Sequence, residues 1–136
     1  MMTLESLNAR SVGRFPGYLG VVFTHWNGAE IGAELPVREE FIAPNGFLHA
    51  GVIVTLADTS CGYGCFANLP QGASGYTTIE LKSNHLGTAK LGTLVSRARA
   101  VHMGRSTQVW DAVVTHRESA RTLALFRCTQ MILYAK

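Results

Sequence analysis

One segment constrains this chain more than any other: the apolar run from His49 to Phe66, which carries Val52, Ile53, Leu56, Ala57, Cys61 and Phe66. Strands in globular proteins rarely exceed about 10 residues, so a run of this length reads as a helix. Its apolar positions lie nearly all round that helix, which demands protein on every side rather than one wet face. Val52, Ile53, Val54 and Thr55 are β-branched, so tertiary packing must override local propensity here. A lone helix of this kind needs a sheet to wrap it.

The flanking segments read as that sheet. Leu19 to Trp26 and Ala29 to Val37 are two β-rich runs separated by Asn27-Gly28, a pair suited to the two positive φ angles of a type I′ hairpin. Pro44-Asn45-Gly46 breaks the chain before the helix. Beyond it, Tyr76 to Asn84, Thr93 to Met103, Ser106 to His116 and Thr122 to Leu133 read as four more strands, punctuated by Gly87, Gly92, Gly104 and the polar Arg117-Glu118-Ser119 stretch. In the second of these, Leu94, Ser96, Ala98 and Ala100 alternate with Val95, Arg97, Arg99 and Val101. Small residues therefore face one way, where a helix can lie close, and the guanidiniums form a solvated outer face. Leu4, Leu7 and Val12 suggest a short N-terminal helix, ended by Gly13 and Pro16-Gly17. The expected architecture is α+β: an antiparallel β-sheet wrapped around one long central helix. Residues 1–136 read as a single domain, with 1–18 as a helical lead-in.

At 47% hydrophobic and 15% charged residues, the chain can bury a core without metal or disulfide staples. Its first residues lack the pattern of a secretory signal, and no apolar run approaches the ~20 residues of a membrane span. Cys61, Cys65 and Cys128 fit no metal-ligand spacing and read as reduced, buried thiols, as expected in the cytoplasm. The net charge of +3 arises from 12 basic and 9 acidic residues spread along the chain. No Lys/Arg block marks a nucleic-acid arm. The histidines lie on separate elements without paired spacing, so neither a metal nor a cofactor is expected.

Chemistry concentrates between Asn45 and Asp58. At the helix start the first backbone N–H groups have no intrahelical partner, and those of Ala50 and Gly51 carry small side chains. Such donors can stabilise a carbonyl oxygen as it becomes an oxyanion. Asp58, among Leu56, Ala57 and Cys61, is costly to bury as an anion, which singles it out as a candidate nucleophile or general base. The eight residues between them span about 12 Å at ~1.5 Å each. One chain cannot bring both to one carbonyl, so a shared reaction requires a second copy with its helix antiparallel to the first, hence a C2 homodimer.

Three motifs follow in order: Asn45-Gly46-Phe-Leu-His49-Ala50-Gly51 with Leu56-Ala57-Asp58; Thr78-Ile-Glu80-Leu81-Lys-Ser-Asn84-His-Leu86; and Gly92-Thr-Leu94 through Ala100-Val-His102-Met-Gly104-Arg105-Ser106. Together, over roughly residues 19 to 133, they resemble the hotdog-fold acyl-CoA thioesterases of the phenylacetate-degradation (PaaI-like) and 4-hydroxybenzoyl-CoA type. That family's pattern runs N-G-x-x-H-G-G-x-x-x-x-L-A-D, T-x-E-L-x-x-N-x-L and G-x-L-x-x-x-A-x-x-x-H-x-G-R-S.

The resemblance implies hydrolysis of an acyl-CoA or aryl-CoA thioester at a homodimer interface, with a homotetramer as the larger assembly. It puts the N–H of Ala50 in the place of the carbonyl-polarising glycine, with His49 shaping the helix start. Asp58 falls on the catalytic carboxylate, and Thr78 on the hydroxyl that orients water. CoA would be held by two turns, His85 to Lys90 and His102 to Ser106, with Gly51 and Gly104 allowing close approach and Lys90 and Arg105 meeting phosphates. Two departures stand out. Ala50 adds a methyl where the family has glycine, and Ala43 occupies the position of an asparagine six residues before the histidine. Asn45 would replace that asparagine if the loop takes a different path. Two other activities fit the same fold: an acyl-thioester hydratase or dehydratase using a His/carboxylate pair, and a non-catalytic acyl-CoA sensor. Sensors on this fold carry a DNA-binding segment, and residues 1–18 hold no helix-turn-helix.

Overall fold

The computed structural model describes residues 1–136. Helices α1 (Leu4–Ser11) and α2 (Phe15–Leu19) precede strands β1 (Val22–Trp26) and β2 (Glu30–Pro36). A 3₁₀ turn at Glu39–Phe41 leads to α3 (Ala50–Ala67), followed by β3 (Ala73–His85), β4 (Thr93–Met103), β5 (Thr107–His116) and β6 (Thr122–Tyr134). The six strands form one antiparallel sheet in the order β1-β2-β4-β5-β6-β3. The chain therefore leaves the sheet beside one edge, crosses it as α3, and re-enters at the opposite edge as β3.

Strand β4 packs its small residues under the helix: Leu94, Ser96 and Ala98 are fully buried, while Arg97 and Arg99 are exposed. Close approach is enforced at Gly64, where a Cβ would sit 2.6 Å from the buried Trp110 ring. The helix C-terminus is pinned by a polar chain. Trp110 Nε1 donates to Gln108 Oε1, Gln108 Nε2 donates to the Asn68 carbonyl, and Asn68 Nδ2 donates to the carbonyls of Gly28 and Gly64. By length and composition α3 could cross a membrane, but 61% of it is buried inside the protein. Most of its apolar surface is already covered within the chain, while Ala50 is exposed and Gly51, Val54, Thr55 and Asp58 are only half-buried.

Three local expectations change. The N-terminal helix is followed by a second one, because Pro16 sits in the first turn of α2, where its missing N–H costs nothing. Gly20 at φ 101° then ends α2. The β1–β2 turn is not type I′: positive φ falls on Gly28 alone, and Asn27 keeps a negative φ. Asn27 Oδ1 instead accepts the N–H groups of Ala29 and Glu30, an Asx-type closure that needs one left-handed residue rather than two. Strand β3 starts at Ala73, earlier than Tyr76, because it pairs with β6 along its whole length.

Helix α1 closes one sheet edge. Thr3 and Ser6 form a reciprocal capping box, and Leu7 is fully buried. Asn8 behaves as a surrogate strand residue: its Oδ1 accepts the Phe23 N–H at 2.8 Å and its Nδ2 donates to the Phe23 carbonyl at 3.0 Å. Edge β1 is thus blunted, while β3 forms the other edge of the sheet.

Candidate active site

The backbone donors at the start of α3 differ in their partners. His49 is the N-cap, and its own N–H reaches the Phe41 carbonyl at 2.9 Å. The Gly51 N–H donates to His49 Nδ1 at 2.8 Å, and the Val52 N–H to the His49 carbonyl at 3.0 Å. The Ala50 N–H has no partner in the chain, and Ala50 is exposed. Of the two donors anticipated from the sequence, Gly51 is therefore spent on the cap and Ala50 is free. Accepting at Nδ1 also sets the tautomer of a neutral His49 ring, with its proton on Nε2.

Around Ala50 lies a cleft of about 320 Å³ lined by Phe47, Leu48, Ala50, Ile53, His85, Gly87, Thr88 and Arg121. The β3–β4 loop is held there by Thr88, whose Oγ1 accepts the Leu48 N–H at 2.9 Å. His85 thus joins Ala50, as does Arg121, which sequence reasoning missed. Its neighbourhood follows from the β5–β6 turn folding against the β3–β4 loop, a long-range relation without a local signal. Lys90 is exposed further along the same loop and does not line this cleft. On the other side of the helix start, a second cleft of about 490 Å³ includes Phe15, Tyr18, Arg38, Phe41, His49 and Gly51. Ala43, where relatives carry asparagine, also lines it. Asn45 lines neither cleft; its Oδ1 accepts the Phe47 N–H at 3.1 Å and stabilises the turn.

Asp58 sits two turns further along α3, half-buried. Thr78 Oγ1 donates to its Oδ1 at 2.9 Å. Burial pushes the Asp58 carboxyl above the usual carboxylate range, and the Thr78 hydrogen bond offsets part of that rise. A β-bulge between Thr78 and Glu80 interrupts the β3 register just where this side chain turns inward, a common use of bulges beside functional groups. The thiols are poor nucleophile candidates. All three are free and buried, burial lifts Cys65 to about 12, and burial drives Cys61 upward as well.

The second predicted CoA turn lies at the other end of the sheet. Gln108 binds the carbonyl of Asn68 at the C-terminus of α3, so His102, Gly104, Arg105 and Ser106, just before it, are a helix length from Ala50. Tyr134 Oη donates to the Arg105 carbonyl at 2.6 Å and the Ile132 N–H to the Ser106 carbonyl at 2.9 Å. A single chain therefore gathers Ala50, His49, Gly51 and His85 at one end, Asp58 and Thr78 midway, and the Gly104 turn at the other.

Residues 45–128 match the Thioesterase superfamily, and the chain belongs to that family. It is 31% identical, over 97% of its length and 96% of the relative's, to the 1,4-dihydroxy-2-naphthoyl-CoA hydrolase of Escherichia coli K12. It is also 31% identical, over 97% of its length and 95% of the relative's, to the proofreading thioesterase EntH of Cronobacter sakazakii. The crystal structure of a mutant thioesterase from Pseudomonas aeruginosa superposes with a TM-score of 0.91 at 28% identity, covering 98% of this chain and 95% of that one. The sheet around one long helix is accordingly the hotdog fold, and the chain is a thioester hydrolase.

Proposed function

We propose that the protein hydrolyses an acyl-CoA or aryl-CoA thioester to the free carboxylic acid and CoA, working as a homodimer that can assemble further into a tetramer. The observation that carries this reading is the half-buried Asp58 carboxylate, oriented by Thr78 at 2.9 Å, on the same helix whose first N–H is unpartnered. In this reading Ala50 N–H of one protomer polarises the thioester carbonyl. Asp58 of the other takes a proton from a water ordered by Thr78, and the hydroxide oxygen adds to the carbonyl carbon. The C–S bond then breaks, and CoA leaves with that proton. Antiparallel helices would bring the two ends of each site together, and would also bring the Gly104 turn of one chain toward the His85 loop of the other. Arg121, His85 and Lys90 then supply donors and positive charge for the CoA phosphates. An aryl acyl group is favoured by the naphthoyl-CoA activity of the E. coli relative and by the aromatic Phe15, Tyr18 and Phe41 lining the cleft beside His49. The reaction draws on no cofactor, and the free buried thiols suit a reducing cytoplasm.

The test is a panel of aryl- and acyl-CoA thioesters monitored by thiol release. Wild-type turnover that disappears in Asp58→Asn supports the proposal. Full activity in that variant, or hydration of an enoyl-CoA without thiol release, overturns it.

A further inference from the structure

The inward-facing residues of β6 run Ala124, Phe126, Cys128, Gln130 and Ile132, so one primary amide is embedded in an apolar row. Gln130 is completely buried. Burying an amide without partners is costly, so its contacts are informative. It stands opposite Thr78 in the β3–β6 ladder. Its Oε1 lies 3.0 Å from Thr78 Oγ1, which lies 2.9 Å from Asp58 Oδ1, and its Nε2 lies 3.3 Å from Cys128 Sγ. The result is a four-group chain from Asp58 into the core.

A threonine hydroxyl has one proton and cannot donate to a carboxylate and an amide oxygen at once. The conflict resolves in two ways, according to the state of Asp58. When Asp58 is protonated, its O–H donates to Thr78, Thr78 donates to Gln130 Oε1, and Nε2 donates to Cys128. When Asp58 is ionised, Thr78 donates to the carboxylate, and half a turn of the amide places Nε2 where Oε1 stood. Nε2 then donates to Thr78, and Oε1 accepts from the Cys128 thiol. In both states the Thr78 hydroxyl has one donor and one acceptor: it lies between Asp58 O–H and Gln130 Oε1 in the first, and between Gln130 Nε2 and the carboxylate in the second.

We infer that Gln130 is a positioning residue for hydrolysis, holding the Thr78 hydroxyl on Asp58 and reversing its amide as Asp58 gains and loses the proton of the attacking water. This rests on the thioesterase reading with Asp58 as base. The other titratable groups near the chain are the thiols of Cys61 and Cys65 on α3 and of Cys128 on β6 and Tyr76 on β3, while Asp111, paired with Arg127 on the outer face of β5, acts on Cys61 only through its charge. Burial raises Cys61, Cys65 and Tyr76, and Asp111 is held low by the Arg127 guanidinium. Cys61, Cys65 and Tyr76 thus change charge above the range of a carboxylate base, and Asp111 below that of Asp58.

The experiment is Gln130→Met, which keeps length and removes both amide functions, measured alone and with Thr78→Val across pH. The expected result is a kcat lower by roughly 10- to 100-fold, the scale of a slightly misplaced catalytic group, with KM unchanged. The low-pH limb of kcat/KM moves to higher pH, because a hydroxyl deprived of its own donor stabilises the carboxylate less. In the Thr78→Val background the same substitution has no further effect, as coupling through Thr78 requires. Wild-type kcat and pH limb in Gln130→Met, or a loss that adds in full to that of Thr78→Val, overturns the inference while wild-type turnover keeps the thioesterase reading. A wild type inert toward every thioester overturns both. Should Gln130→Met fail to fold, the isosteric Gln130→Glu is read instead: a second carboxyl beside Thr78 moves the limb upward, and an unmoved limb refutes the relay.

Discussion

Ala50 offers an unusually clean perturbation, because its N–H can be deleted without disturbing the helix that carries it. Ala50 is the first residue of α3, and the preceding His49 has φ −62° and ψ 129°, the extended geometry that a residue before proline adopts. No hydrogen bond within the chain uses the Ala50 N–H. Proline at this position therefore removes one donor and no structure, and it stabilises the fold by about 0.4–1 kcal/mol through the unfolded chain. If that N–H polarises the thioester carbonyl, its loss raises the barrier by about 2.7–4 kcal/mol, a 10²–10³-fold fall in kcat. The assay is steady-state thiol release by Ala50→Pro alongside thermal unfolding. Ala50→Gly, which keeps the N–H and removes the methyl, is the steric control and retains wild-type kcat. A folded Ala50→Pro enzyme with wild-type kcat, or an Ala50→Gly enzyme equally impaired, refutes the assignment of the donor.

Four further outcomes are expected. Because the folded pKa of Asp58 is raised, wild type loses stability as pH climbs from 3.8 through that raised value and stays lower above it. Asp58→Asn is free of this penalty, so urea melts against pH should show an inactive variant that is more stable than wild type at neutral pH, and the reverse order would mean that the Thr78 hydrogen bond outweighs burial. If Asp58 is the base it must be ionised, and kcat/KM then falls as pH drops through the same raised pKa, above the range of an exposed carboxylate. Gly64→Ala forces a methyl against Trp110 and should cost about 1–3 kcal/mol in denaturant unfolding, and an unshifted midpoint would show that the ring can yield. Arg121→Ala should raise KM for a CoA ester more than for a truncated thioester lacking the nucleotide phosphates, and an equal rise for both would remove Arg121 from the CoA contact.

Much of this was legible in one dimension, and the rest was hidden either by an ambiguous local signal or by long-range pairing. Local periodicity suffices for the long helix, for the small-residue face of β4 and for the six strands, because each follows from which side of one element meets the core. The α2 helix was hidden because Pro16-Gly17 reads as a stop, while a proline in the first helical turn is equally a start. The hairpin type was missed because Asn27 spends its side chain on Ala29 and Glu30 and so avoids a left-handed backbone. Arg121 beside Ala50 and Gln130 beside Thr78 depend on which strands become neighbours, information distributed over the whole sheet. Gln130 did carry a local signal: with period 2, it is the polar member of an otherwise apolar inward row. Asp58 and Ala50 were visible as an odd carboxylate and small residues at a helix start, but the freedom of one N–H and the engagement of the next emerged only from the His49 cap.

The Asn8 clamp on Phe23 bears on how copies of this protein can meet. Edge-to-edge growth of a sheet needs unpaired strands at both ends, as in an open ribbon that adds subunits indefinitely. Here α1 occupies one end and β3 leaves the other open, so a second copy can extend the sheet once, after which both outer margins carry a helix. Strand-to-strand pairing along these edges would then stop at two copies, leaving any further assembly to the faces, and a side-chain amide in the first helix acts as the limiter. Removing it with Asn8→Ala would free the Phe23 N–H and carbonyl on that margin for a further strand.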